Sequence, residues 1–126
     1  MMVRCEDLVQ LIRGSKSLDQ ISKERDAYDL SFRLLRKYEY MLRKGYDPSK
    51  DRDIFIKGII SEIASKFSSK RIQFSLPDAE EISSKILDIL KSMDKDFRSL
   101  CGLYFQLKKL RRKEIDQMID LVKGIG

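Results

Sequence analysis

The residues of this chain that could do chemistry are concentrated between Phe97 and Lys113, where large apolar side chains run into dense positive charge. Five of the six residues from Lys108 to Lys113 are basic, and the sixth is Leu110. Clustered lysine and arginine side chains can bind the phosphates of a nucleic acid. The candidate nucleic-acid contacts are therefore Lys108, Lys109, Arg112 and Lys113.

A helical periodicity offers a plainer explanation of the same charges. At 100° per residue these four side chains fall away from the centre of an apolar stripe, where they can form the solvated side of an amphipathic helix. Arg111 falls in the middle of the stripe instead, with Glu114 close to it. A charged pair is costly to bury, so we expect contact with the core to end near Leu107. The candidate partner interface beyond that point comprises Leu110, Arg111, Glu114, Ile115 and Met118.

Catalytic and metal-binding patterns are not recognisable in the sequence. The chain contains no histidine, which excludes Cys-His and Ser-His catalytic pairs and the usual zinc sites. It also has no phosphate-binding glycine loop and no HExxH motif. We therefore expect a protein that is not an enzyme and that uses no cofactor, metal or small-molecule substrate. A metal-dependent nuclease built from dispersed carboxylates is the weaker alternative.

Cysteine usage and hydropathy bear on location. Cys5 and Cys101 lie far apart and form no CxxC motif. No run of about 18 apolar residues could span a bilayer, and charged side chains interrupt the first 15 residues where a signal peptide would need an apolar core. We expect a cytoplasmic protein without a membrane segment, in which both thiols are free and at least partly buried.

Glycine, proline and hydrophobic periodicity divide the first half of the chain into helices. Gly14 is placed to end a first helix, and Ser17 is placed to cap a second helix that runs from Leu18 to about Lys44. The second half of that helix is apolar over more than one face, which indicates burial on two sides. The segment from Ile54 to Phe67 has a narrow apolar face of period 3.6 and predicts a helix that packs on a core.

The second half contains one extended segment and a long helical segment. Apolar and polar residues alternate over 72–76, which favours an extended connector or a short strand. Pro77 and the acidic residues after it then mark a helix start. The apolar stripe keeps one phase from Ile82 to Val122, so either one long helix runs to about Lys123 or a bend interrupts it. We favour a bend at Asp94–Asp96, because a single helix of about 67 Å is long for so small a domain.

The predicted helices, together with the length and composition of the chain, predict the fold class. The chain has 126 residues, of which 42% are hydrophobic and 37% charged, a balance that suits one compact domain. We expect a single all-α domain over residues 1–126, a bundle of four to five helices with a long C-terminal helical segment. The net charge of +6 favours acidic partners such as nucleic acid.

Residues 103–115, Leu-Tyr-Phe-Gln-Leu-Lys-Lys-Leu-Arg-Arg-Lys-Glu-Ile, resemble a helix of the α-helical domain of GINS DNA replication subunits. In that family an aromatic-leucine stretch runs into alternating basic and apolar residues and ends in isoleucine. The match covers about 13 residues, and the family's small β-rich domain is not evident here. The resemblance implies a scaffold that joins other subunits beside the replicative helicase.

The sequence therefore predicts a helical assembly or scaffold subunit of a nucleic-acid-processing complex, plausibly in DNA replication. Its partners are expected to be other proteins or a second copy of the chain. The alternative is direct binding of nucleic acid through the basic run at residues 108–113. Added salt separates the two, because phosphate binding weakens steeply with salt and apolar assembly does not.

Overall fold

A computed structural model describes residues 3–16, 18, 24–69, 76–110 and 112–125 of the protein, with the backbone alone at positions 24, 69, 76, 112–116 and 125. The described part is all-α and forms a compact bundle, which confirms the predicted fold class. It contains six helices rather than four or five: α1 (Cys5–Gly14), α2 (Glu24–Arg43), α3 (Arg52–Ser69), α4 (Leu76–Lys91), α5 (Lys95–Lys108) and α6 (Arg112–Ile125). The predicted extended segment lies outside the described residues, apart from Leu76, the first residue of α4.

Local hydrogen bonds set the ends of several helices. The backbone N–H of Arg4 donates to the Asp7 carboxylate over 2.8 Å at the start of α1. The carboxylate of Asp94 accepts from the N–H of Phe97 over 2.8 Å at the start of α5. Each bond satisfies a backbone group that the helix end would leave without a partner. After the C-terminal end of α2, Gly45 adopts φ 93°. This left-handed conformation favours glycine and ends the helix.

Helix α2 lies at the centre of the bundle. It packs against α1, α3 and α5, while α4 packs mainly on α3. This position explains the wide apolar surface of α2, because a helix with neighbours on several sides must bury several of its faces. The core that these helices share includes Leu8, Ile12, Leu30, Leu34, Ile59, Ile63, Ile86, Leu87 and Phe105, all at most 2% exposed.

The start of α2 differs from the sequence prediction. Leu18 lies in a short 3₁₀ turn after α1, and its side chain is fully buried. The described α2 begins at Glu24, and the predicted cap at Ser17 lies outside the described residues. The predicted helix around Ile59 and Ile63 is confirmed, since both side chains are buried in α3.

The long C-terminal segment is divided twice. Helix α4 ends at Lys91 and α5 begins at Lys95, which confirms the bend predicted at Asp94–Asp96. A second interruption, at Lys109 and Leu110, separates α5 from α6 and was not predicted. The first break rotates the buried face, so that Cys101 and Phe105 enter the core. Three of the predicted stripe residues of α5, Leu100, Leu103 and Leu107, are instead exposed, while Phe97 and Tyr104 remain partly buried against the core.

The two cysteines are joined, contrary to the prediction of free thiols. Cys5 at the start of α1 forms a disulfide with Cys101 in α5, and their Cα atoms lie 5.3 Å apart. The sequence could not show this pairing, because the two residues are 96 positions apart and meet only once α1 and α5 pack together. The bond fixes α5 to the N-terminal helix.

Candidate interaction surfaces

Polar contacts beside the disulfide fix the orientation of α5. The Glu6 carboxylate in α1 accepts hydrogen bonds from the hydroxyl groups of Tyr28 and Tyr104, which lie in α2 and α5. Burial of Glu6 opposes ionisation, but the hydrogen bonds from Tyr104, Tyr28 and Gln10 outweigh it and lower the pKa of this carboxyl group. Burial and the same contacts raise the pKa of Tyr28. An ionised Glu6 thus holds three helices together through two neutral tyrosines.

Lys109, one of the predicted nucleic-acid contacts, is bound to the bundle. Its Nζ lies 3.5 Å from an Asp29 carboxylate oxygen and 4.7 Å from the centre of the Phe32 ring. Its carbonyl oxygen accepts a hydrogen bond of 3.1 Å from Nε of Arg25. These contacts anchor the end of α5 to α2, so the structure gives Lys109 a packing role.

The other predicted nucleic-acid contacts are placed differently. Lys108 is exposed, and its Nζ lies 5.7 Å from the centre of the Tyr104 ring. Arg112 and Lys113 lie in the first turn of α6, where the structure describes only the backbone. The structure therefore shows one solvated member of the predicted basic patch, and nucleic-acid binding by this run stays a prediction.

An uncovered apolar surface extends along α5 and α6, and we call it the α5–α6 apolar face. On α5 its residues are spaced by three and four positions, so they share one side of the helix. On α6 its residues lie in the last two turns and are 45% to 70% exposed. The face comprises Leu100, Leu103, Leu107, Met118, Ile119, Leu121 and Val122.

A groove forms where the two helices approach. It has a volume of about 640 Å³, and its walls are Leu107, Leu110, Met118, Ile119, Val122 and Lys123. Within the described part of the chain, α6 is absent from the helix pairs that pack extensively. The α6 side chains that line the groove are accordingly exposed.

The predicted partner interface overlaps this groove in part. Leu110 is half-buried and Met118 is exposed, and both line it. Glu114 and Ile115 belong to α6, but only their backbone is described, and Arg111 lies outside the described residues. Phe105 is the last fully buried residue of α5, close to the predicted limit near Leu107, although Lys109 still contacts α2 beyond it.

A second surface lies on the outward side of α2, and we call it the α2 basic stripe. At 100° per residue its members fall within about 120° of the helix circumference. Two shallow clefts flank it, one of about 310 Å³ beside Glu62 and one of about 240 Å³ beside Arg98. The stripe comprises Arg33, Arg36, Lys37, Tyr40, Arg43 and Lys44.

Metal and membrane sites are not found in the described residues. No group of three or more histidine, cysteine, aspartate or glutamate side chains there could hold a metal ion. No helix of that part of the chain is long and apolar enough to cross a membrane.

Comparison of the chain with protein-family models, with curated proteins and with solved structures finds no match. The GINS resemblance therefore remains a sequence-based expectation. The structure adds one fact to it, since the stretch 103–115 is not a single helix: α5 ends at Lys108 and α6 begins at Arg112.

The α5–α6 apolar face and the α2 basic stripe could be predicted only in part from the sequence. The leucines of α5 have core-like spacing, and only the rotation after Asp94 shows that they are exposed. Arg43 and Lys44 also suit the negative end of the α2 dipole, so their charge alone does not indicate a binding surface. The sequence does offer the group Arg33, Arg36 and Lys37, with Tyr40, as a possible extension of a nucleic-acid contact, and their position on one side of a helix is the signal for the stripe.

Proposed function

We propose that the chain is a non-enzymatic helical assembly subunit that associates with a second copy of itself through the α5–α6 apolar face. One observation carries this proposal: seven of the ten exposed large apolar side chains in the described residues belong to that face. Monomeric proteins rarely leave a contiguous apolar patch of this kind uncovered. A protein surface that removes it from water is the expected partner.

The charge of α6 indicates what kind of partner surface the α5–α6 apolar face binds. The helix carries three basic and three acidic residues, so it has no net charge. Helices that bind anionic membranes have a polar face rich in lysine and arginine, and a nucleic acid also requires excess positive charge. A neutral amphipathic helix is better suited to an apolar protein surface.

A second copy supplies such a surface without a further component. In a two-fold interface the same patch of each protomer faces its equivalent, so the groove at Leu107 and Val122 would receive the same residues of its partner.

The energies predict a moderate affinity. Complete burial of one leucine-sized side chain contributes about 1.5–3 kcal/mol, and the seven side chains are already partly covered. Two copies together gain on the order of 10 kcal/mol, and association costs about 4–15 kcal/mol. We therefore expect a dimer that forms and dissociates within an accessible range of protein concentration.

The setting of this assembly is a further part of the proposal. A role in a nucleic-acid-processing complex, plausibly in DNA replication, is supported by the resemblance of residues 103–115 and by the net charge of +6. The cytoplasmic location stays a prediction. The Cys5–Cys101 disulfide weighs against it, because reducing systems keep most cytosolic thiols free.

Light scattering during size-exclusion chromatography, over a range of protein concentrations, tests the self-association. The Leu107→Glu and Val122→Glu variants place a charge in the groove, and we expect both to remain monomeric where the unaltered protein dimerises. Ile54→Glu is the matched control, since Ile54 is an exposed apolar residue on α3 and should leave dimerisation unchanged.

Two results would contradict the proposal. One is an unaltered protein that remains monomeric at every concentration and at both low and high salt. The other is a dimer that the Leu107→Glu and Val122→Glu variants form as readily as the unaltered protein. Circular dichroism spectra of the variants establish that each still has the helical fold.

A further inference from the structure

The α2 basic stripe carries positive charge that the bundle does not neutralise. Of the two carboxylates in the flanking clefts, Glu62 pairs with one stripe residue, Arg33, over 3.1 Å, and Glu39 pairs with Arg98 of α5. Within the described part of the chain, no carboxylate pairs with the remaining four cations of the stripe. These are Arg36, Lys37, Arg43 and Lys44.

The ends of the helix explain only part of this charge. Cations in the last turn of a helix are stabilised by its dipole, and this accounts for Arg43 and Lys44. Arg36 and Lys37 lie about two turns earlier, where the dipole has little effect. The dipole therefore does not explain why positive charge continues along the whole stripe from Arg33 to Lys44. At 1.5 Å per residue the stripe is about 17 Å long.

An exposed aromatic side chain lies at the centre of the charges. Tyr40 is 47% exposed, and the Nζ atoms of Lys37 and Lys44 lie 5.6 Å and 5.4 Å from the centre of its ring. Aromatic side chains among cations can stack on unpaired bases while the cations contact the phosphates. A base that stacks on Tyr40 can displace one lysine toward the neighbouring phosphate.

We propose that the α2 basic stripe binds single-stranded nucleic acid, with Tyr40 as a stacking surface and Arg36, Lys37, Arg43 and Lys44 as phosphate contacts. The stripe is long enough for several successive phosphates, and guanidinium groups suit bidentate phosphate binding. An acidic protein would use the same charges but has no particular need for an aromatic ring among them. This surface is separate from the α5–α6 apolar face, so each can be tested without the other.

The composition of the stripe also argues against a membrane. Helices that lie on anionic bilayers insert a broad apolar face beside their cations. Tyr40 is the one large aromatic or aliphatic side chain among the six stripe residues. The apolar residues on the opposite side of this part of α2, such as Leu34 and Tyr38, are buried in the core.

Fluorescence anisotropy with a labelled oligothymidylate of about 20 nucleotides tests the proposal. We expect binding that weakens as salt is raised from about 50 to 200 mM. The Arg36→Gln/Arg43→Gln double variant should reduce the slope of log affinity against log salt by about 1.4, since each contact to a single strand contributes about 0.7. Lys57→Gln/Lys91→Gln is the control of equal charge change, because both lysines are exposed and lie on α3 and α4.

Tyr40 variants separate stacking from charge. Tyr40→Ala should weaken oligothymidylate binding about five-fold or more, while Tyr40→Phe keeps the ring and should bind as the unaltered protein does. Tyr40 is exposed, so neither change should unfold the bundle, and circular dichroism verifies this.

Five results would overturn the proposal. They are a failure to bind the oligonucleotide at low salt, equal binding by the Arg36→Gln/Arg43→Gln variant, and equal binding by Tyr40→Ala. The fourth is binding to vesicles of anionic phospholipid that is as tight as binding to the oligonucleotide. The fifth is a Lys108→Gln variant that weakens binding more than the arginine pair does, which would assign the contact to the basic run near Lys108 instead.

Discussion

Tyr104 donates a hydrogen bond from its hydroxyl group to the carboxylate of Glu6, a residue 98 positions earlier in the chain. Tyr28 donates to the same carboxylate oxygen, so one ionised side chain joins α1, α2 and α5. In the disulfide between Cys5 and Cys101, Cys5 directly precedes Glu6, and Cys101 lies one helical turn before Tyr104. The N-terminal helix and α5 are thus connected by a covalent bond and by an ionisable hydrogen-bond acceptor.

Glu6→Gln should destabilise the protein most at neutral pH. The folded state lowers the pKa of Glu6 below 4.5, so the unfolded chain binds the proton more tightly. The stabilisation is fully present above the unfolded pKa and is lost as pH falls through the folded value. Glu6→Gln should cost about 1–3 kcal/mol at pH 7, and the difference from the unaltered protein should narrow toward pH 3.

Urea denaturation at several pH values measures this difference. Glu81→Gln is the matched control, because Glu81 pairs with Lys85 at the surface and both side chains are more than half exposed. Such a pair contributes about 0–1 kcal/mol. A Glu6→Gln deficit that is the same at pH 7 and pH 3 would refute the assigned role of the carboxylate.

Reduction of the disulfide should lower the free energy of unfolding. The bond closes a loop with a sequence separation of 96, and cross-links of this size typically stabilise a domain by about 2–5 kcal/mol. We expect the midpoint of urea denaturation to fall when a reductant is added. The Cys5→Ala/Cys101→Ala variant should show a similar midpoint with and without reductant, and two free thiols in the unfolded, unreduced protein would contradict the pairing.

Part of this arrangement could be predicted from the sequence and part could not. The helical face around Ile59 and Ile63 follows from periodicity alone, because the apolar side chains of an unbroken helix recur every 3.6 residues on one side. The bend at Asp94 was predictable because a domain of this size does not easily hold so long a helix. The exposure of Leu103 was not predictable, because the local sequence does not specify by how much the break rotates the apolar face of α5 relative to that of α4.

Contacts between distant residues account for the remaining errors. Cys5 with Cys101 and Lys109 with Asp29 meet only after α5 packs on α1 and α2. A basic run in sequence is consistent with a solvated patch, a phosphate site or a set of structural anchors. Only the position of each side chain distinguishes Lys109, which contacts Asp29, from Lys108, which is exposed to solvent.

Lys109→Gln should destabilise the protein more than Lys108→Gln. Lys109 is 31% exposed in its pair with Asp29. Burial raises the pKa of that aspartate, but the hydrogen bond and charge of Lys66, followed by the charge and hydrogen bond of Lys109, outweigh burial and lower it. We expect Lys109→Gln to cost about 0.5–1.5 kcal/mol, and Lys108→Gln to stay within about 0.5 kcal/mol. Thermal denaturation of the two variants, which carry the same net charge, gives the comparison, and equal midpoints would count against the anchoring role.

Gly58→Val should crowd the side chains of Met41 and Lys37 where α2 packs on α3. A Cβ atom at position 58 would lie 2.8 Å from Sδ of Met41, which is closer than such atoms approach. Met41 is buried, so its side chain has little room to move. We expect the variant to lose about 1–3 kcal/mol of stability, and Gly14→Val to lose much less, because no atom lies within 4 Å of a Cβ at Gly14.

A double-mutant cycle identifies the cause of that loss. If the added side chain collides with Met41, then Met41→Ala makes space for it, and the double variant should be more stable than the sum of the two single changes predicts. Contacting residues typically show coupling of about 0.5–3 kcal/mol, whereas distant ones add within about 0.5 kcal/mol. Additive effects of Gly58→Val and Met41→Ala would mean that the helices are not in contact at this point. Because α2 is the helix on which α1, α3 and α5 pack, the same measurement tests the arrangement that holds the α2 basic stripe outward.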